Sequence, residues 1–107
     1  MTILLGNNDR LEWYMGSIEN PQSPTVDGYG KNGISKAIIE KKKQVLKLSN
    51  DPKKNTLFVL IKPSDKSKYK NLVDILDEMK ISDVKSYGIV EITEPEVGLL
   101  KRDKIYE

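Results

Sequence analysis

The sequence predicts an α/β domain of the two-layer α+β sandwich kind: hairpin, helix, strand, helix, strand, with a mixed sheet and both helices on one face. Three observations carry this. An unbroken apolar run of strand formers, Thr56-Leu-Phe-Val-Leu-Ile61, is ended by Pro63, which cannot donate to a ladder. From Tyr69 the apolar residues Leu72, Val73, Leu76 and Met79 fall at helical spacing, with Ile75 widening the stripe and Lys70, Asn71, Asp74, Asp77 and Glu78 opposite. Extended sequence resumes at Val84 and runs to Thr93, where Pro95 stops it. A strand that leaves, packs a helix on its sheet and returns as a parallel neighbour is a βαβ unit.

Upstream, Thr2–Leu5 and Leu11–Met15 flank the turn-forming Gly6-Asn-Asn-Asp-Arg10, which predicts a β-hairpin. Its second arm alternates Leu11, Trp13 and Met15 against Glu12 and Tyr14, so Trp13 reads as a core anchor. Residues 17–33 contain Pro21, Pro24, Gly28, Gly30 and Gly33 and read as a long surface loop ending near Asn32, a helix cap. Ile34, Ala37, Ile38, Val45 and Leu48 then share one helical face over 33–48, with the stem of Lys41 alongside, and residues 50–55 turn into the apolar strand, taken as the central one. Ser67 reads as the N-cap of the second helix. The tail, 96–107, is expected to form a last edge strand through Val97, Leu99, Leu100 and Ile105, open to exchange with a second copy.

The totals narrow the functions. A chain of 107 residues suits one domain, and 18 basic against 16 acidic residues leave +2, which argues for neither nucleic acid nor an anionic membrane. Cysteine and histidine are both absent, so there is no disulfide framework, no thiolate and no imidazole base or ligand. No apolar run nears the roughly 20 residues that span a bilayer. Strand-like sequence begins at Thr2 without a lead-in, from which a domain excised from a longer protein is expected.

The local chemistry is sparse. Asp74, Asp77 and Glu78 read as solvated carboxylates rather than an acid–base pair, and the lysines 36, 41, 42, 43, 47, 53 and 54 as a wet face, since no aromatics interleave them. Asp65 and Lys66 sit between strand and helix, where α/β folds tend to place functional groups, although an aspartate there also orders a turn. Gly28-Tyr-Gly30-Lys-Asn-Gly33 spells G-x-G-x-x-G, but the stretch before it does not read as a hydrophobic strand and Ile61 is followed by Lys62 rather than an acid. A nucleotide or metabolite site there stays a minor alternative. No catalytic residue, cofactor or metal is expected.

The clearest signal is apolar surplus. The strand at 56–61 is apolar on both sides, with Leu57, Val59 and Ile61 one way and Phe58 and Leu60 the other. With both helices on one face, Phe58 and Leu60 need a cover, and leaving two such side chains bare forgoes on the order of 3–5 kcal/mol. Phe58, Leu60, Tyr87, Ile89, Leu99 and Leu100 are therefore the expected partner or dimer surface.

The motif Asp65-Lys-Ser-Lys-Tyr69-Lys-Asn-Leu72-Val73-Asp-Ile75-Leu76-Asp77, after an apolar strand and before Val84–Val90, resembles the periplasmic domain of the ExbD/TolR biopolymer-transport family. Asp65, Lys66, Tyr69, Leu72 and Asp77 carry most of it, and the hairpin and first helix extend the likeness over nearly the whole chain. Residues 17–33 run longer than in the family's familiar members, and the family's transmembrane helix, whose aspartate couples to the proton-motive force, has no counterpart here. The resemblance implies a non-catalytic periplasmic module on the inner membrane that forms a homodimer, receives a TonB-like transducer segment as an added strand, and works with an ExbB-like membrane protein. A TolR-like role contacting peptidoglycan is the alternative within the family.

Overall fold

The structure is a computed structural model that describes residues 1–47 and 57–107; Leu48, the turn at 50–55 with Lys53 and Lys54, and Thr56 lie outside the described residues. Strands β1 (Thr2–Leu5) and β2 (Leu11–Ser17) form the expected hairpin, with Ile3 opposite Trp13 and Leu4 opposite Glu12. Asn8 and Asp9 take positive φ at its turn, a conformation that short polar side chains tolerate. The chain does not loop after Ser17. A third strand, β3 (Asn20–Asp27), pairs antiparallel with β2 across a register shift between Trp13 and Met15. Its prolines are compatible with a strand because β3 is an edge with only one ladder to satisfy.

Helix α1 (Ile34–Leu46) follows, capped at Gly33 rather than Asn32, and then β4 (Phe58–Pro63), α2 (Tyr69–Ile81) and β5 (Ser86–Ile89). The strand order is β3-β2-β1-β4-β5, with β4 parallel to both β1 and β5. The middle strand is therefore β1; the apolar strand expected at the centre stands one place from the edge. Ile3, Leu5, Leu11, Trp13, Val59 and Ile61 form one face of the sheet, and Ile34 and Ile38 of α1 with Ile75 and Met79 of α2 bury it. Both helices thus lie on the expected side of a mixed five-stranded sheet.

The tail departs from the expectation. Glu94–Arg102 is a helix, α3, not an edge strand, and it packs on the opposite face, where Leu99, Leu100 and Ile105 bury Leu4 and Tyr14. Its first turn holds Pro95, Glu94 and Glu96 and its last turn Lys101 and Arg102, the charge order that the helix dipole favours. The Glu96 carboxylate accepts hydrogen bonds from the Thr93 N–H at 3.0 Å and hydroxyl at 2.8 Å, fixing the helix start. The face expected to be open is therefore covered over β1 and β2, and the tail is committed to its own chain.

Candidate functional site

The cover given by α3 is partial. Along β4, Val59 and Ile61 are fully buried under the helix layer, while Phe58 and Leu60 point to the α3 side. Phe58 is 53% exposed there and Leu60 half-buried. Next to Leu60 on β5 stands Gly88, and a Cβ built on it would meet nothing within 4 Å. The β4–β5 half of this face is thus an apolar floor with open space above it.

The sheet edge beside this floor is apolar too. Register places Tyr87 with Val59 and Ile89 with Ile61, so both point to the helix-layer side, where they remain 38% and 53% exposed; Val90, just beyond the strand, is 43% exposed. The Val90 N–H donates back to the Ile61 carbonyl at 2.9 Å. By strand alternation the backbone groups of Tyr87 and Ile89 then face away from β4. At the other edge, β3 carries Pro21 and Pro24, and Ser23 has φ 51°. Prolines and irregular backbone blunt an edge, and β5 has neither. Past the end of β5, a hollow of about 420 Å³ is lined by Pro63, Asp65, Ile89, Val90, Glu94 and Val97.

The roof beside the floor is pinned by buried charge. Glu96 is fully buried; its carboxylate accepts from the Tyr14 hydroxyl at 2.6 Å and pairs with the Lys62 ammonium at 2.9 Å. Burial alone would raise its pKa, but the hydrogen bonds from Tyr14, Lys62 and Thr93 outweigh it and hold the carboxyl below its ordinary value. Burial, and then the bond to Glu96, push the Tyr14 hydroxyl up. Glu12, at the other end of α3, is also fully buried, but neither of its oxygens meets a hydrogen-bond partner among the described residues. Burial first, and Asp103 next, push its carboxyl up to about 8.

The residues singled out from the sequence divide. Phe58 and Leu60 lie on the α3 side of the β4–β5 edge, and Tyr87 and Ile89 on its helix-layer side. Leu99 and Leu100 do not belong to that surface: they are 7% and 0% exposed, because a helix turns them onto Leu4 and Tyr14. Of the motif residues, Asp65 is exposed and lines the hollow, Lys66 stands 5.7 Å from the ring centre of Tyr106, Tyr69 is 80% exposed, Leu72 packs on the core, and Asp77 is exposed. They do not converge on one site. The strand-to-helix turn is ordered by Ser64, not Asp65: its hydroxyl donates to the Leu5 carbonyl at 2.5 Å and accepts the Lys66 N–H at 3.3 Å. The N-cap of α2 is Lys68 rather than Ser67, and its N–H donates to the Asn71 side chain at 2.8 Å.

Other polar groups prove structural. Glu78 is buried rather than solvated, accepting from Ser35 at 2.5 Å and Ser82 at 2.6 Å and so tying α1 to α2. Of the wet lysine face, Lys42 donates to the Ser82 and Asp83 carbonyls at the end of α2, and Lys41 stands 5.4 Å from the Trp13 ring centre. The glycine loop does follow a strand, β3. Yet the Ile34 N–H is bonded to the Gly28 carbonyl at 2.9 Å and the Ser35 N–H to that of Gly30 at 3.2 Å, so the amides that would cradle a phosphate are already spent. Among the described residues no group of three or more acidic side chains is placed to hold a metal ion, and no helix is long and apolar enough to cross a membrane.

The α3 helix and the buried Glu96, like β3, are not among the features expected from the sequence. Thr93-x-x-Glu96 with Pro95 between them is a helix-start signature, and it was the available signal. Fold and surface together define a small α+β domain with a half-roofed sheet and one edge strand free of proline. No family model matches the chain, and neither the curated proteins nor the solved structures contain a match to it.

Proposed function

We propose that the chain is a non-catalytic interaction module of the ExbD/TolR kind, working on the periplasmic side of the inner membrane and completed by a second polypeptide at the β4–β5 edge. The observation that carries this reading is the β5 edge, free of proline, with Tyr87 and Ile89 exposed on one side and the Phe58–Leu60 floor bare on the other. An extended segment added beside β5 would satisfy the outward backbone groups of Tyr87 and Ile89, and alternate side chains would drop onto Ile89 and the floor. The motif from Asp65 to Asp77 supports a TonB-like transducer segment as that strand, and the same edge suits a homodimer.

The test is a titration of the domain with a TonB-like periplasmic peptide, followed by NMR shifts of Tyr87, Ile89 and Val90, with light scattering to follow self-association. Binding that perturbs β5 and is abolished by Ile89→Lys is expected. A monomer that binds no such segment at millimolar concentration overturns the reading.

A further inference from the structure

We propose that α3 is a hinged cover whose far end seats on the sheet only while Glu12 carries a proton, and that ionisation of Glu12 lifts that end and extends the bare apolar face from β4 across β1 and β2. The inference concerns an equilibrium within this chain and stands whether or not the docking reading does.

The geometry is asymmetric along the helix. Near its N-terminus, Glu96 has four donors: the Tyr14 hydroxyl, the Lys62 ammonium, and the Thr93 N–H and hydroxyl. This end is anchored at any pH where the carboxylate and ammonium coexist. Near its C-terminus the sheet offers Glu12, fully buried and with no donor to either oxygen among the described residues; only as the neutral acid can it donate a hydrogen bond, to the Asp103 carboxylate at the end of α3. Its neighbours across β1 and β3 are Leu4 and Val26, which supply no charge. From α3 two charged groups act on it: Asp103, which opposes ionisation, and Arg102, which favours it. Arg102 is already engaged by Asp103 through two bonds of 3.1 and 3.0 Å, so that pair presents little net charge to Glu12.

A neutral carboxyl fits such a space; a carboxylate does not, because it has lost water and gained no donor. Water can reach it by moving β2 or by moving the end of α3. The strand is locked by ladders on both sides, whereas the helix end is held by the Leu99, Leu100 and Ile105 contacts and by Asn7, whose N–H donates to the Ile105 carbonyl at 2.8 Å and whose side-chain amide donates to that of Glu107 at 3.2 Å. The helix end is the cheaper element to move, with Glu96 as the pivot. Its departure exposes Leu4, which stands beside Lys62 and diagonal to Leu60 on the same face.

The Asn7 amide reports the seat directly. Hydrogen exchange at Asn7 and at Val97, whose N–H is bonded to the Thr93 carbonyl beside the pivot, is followed from about pH 6 to 9.5 and corrected for the intrinsic base-catalysed rate, alongside the 13C shift of the Glu12 carboxyl. Asn7 protection is expected to fall by about tenfold or more between pH 7 and 9 while Val97 holds, and Glu12→Gln is expected to keep Asn7 protected throughout. Protection that is flat in the wild type, or that falls equally in Glu12→Gln, overturns the proposal. If Glu12→Gln does not fold, the wild-type carboxyl decides: a midpoint in the ordinary glutamate range overturns the proposal, and a midpoint above neutrality that tracks Asn7 supports it.

Discussion

Two buried glutamates on one face behave in opposite ways because one has donors and the other has none. Glu96→Ala strands the Lys62 ammonium and the Tyr14 hydroxyl, and a loss of about 3–5 kcal/mol is expected in urea unfolding. Glu12 is raised from 4.5 to about 8 in the fold, so as pH climbs the unfolded chain sheds this proton first and is favoured. Its contribution is fully present below about pH 4.5 and declines toward pH 8, on the order of 5 kcal/mol at about 1.4 kcal/mol per pH unit. Glu96, being lowered, acts at the other end: its contribution is lost as pH falls through the acid range. Urea midpoints measured between about pH 5 and 8 should fall with rising pH in the wild type and fall less in Glu12→Gln. Which residues of α2 face the core was only partly legible. The sequence stripe included Tyr69 and Val73, which are 80% and 38% exposed, whereas Ile75 and Met79 are fully buried and Leu72 and Leu76 flank them. A stripe read from spacing is wider than the contact, and only the sheet's position picks its centre. Ile75→Ala is accordingly expected to cost about 2–5 kcal/mol, and more than Leu76→Ala.

At the scale of elements, the hairpin, α1, β4, α2 and β5 were all legible, because each buries a face whose period the sequence displays. β3 was not. Its residues carry little apolar pattern because most are half-buried or exposed, and its prolines mimic a loop. α3 is hidden differently: its nine residues hold few apolar positions, although Thr93 and Glu96 mark its start. Phe58 on β4 is 53% exposed, and Phe58→Ser is expected to change stability by about 1 kcal/mol or less while weakening association in light scattering. Gly6 joins the tail to the hairpin, since a Cβ there would collide with the Ile105 carbonyl oxygen. Gly6→Ala should therefore unseat residues 105–107 at a cost of about 1–3 kcal/mol, visible as lost protection at Asn7.

Across the whole molecule, the second face of the sheet is covered over one half only. The chain hides Leu4 and Tyr14 with its own last helix and leaves Phe58 and Leu60 bare. The difference lies in partners that spacing alone does not reveal, because the roof is fixed by Tyr14, Lys62 and Glu96, which come from β2, β4 and α3. The two borders of the sheet have an outcome for assembly. Ladder growth needs a receptive border at both ends, and here Pro21 and Pro24 close one of them. If β5 receives a guest strand as proposed, a molecule with one such side pairs with one guest and then stops, which gives a finite complex in place of a fibre.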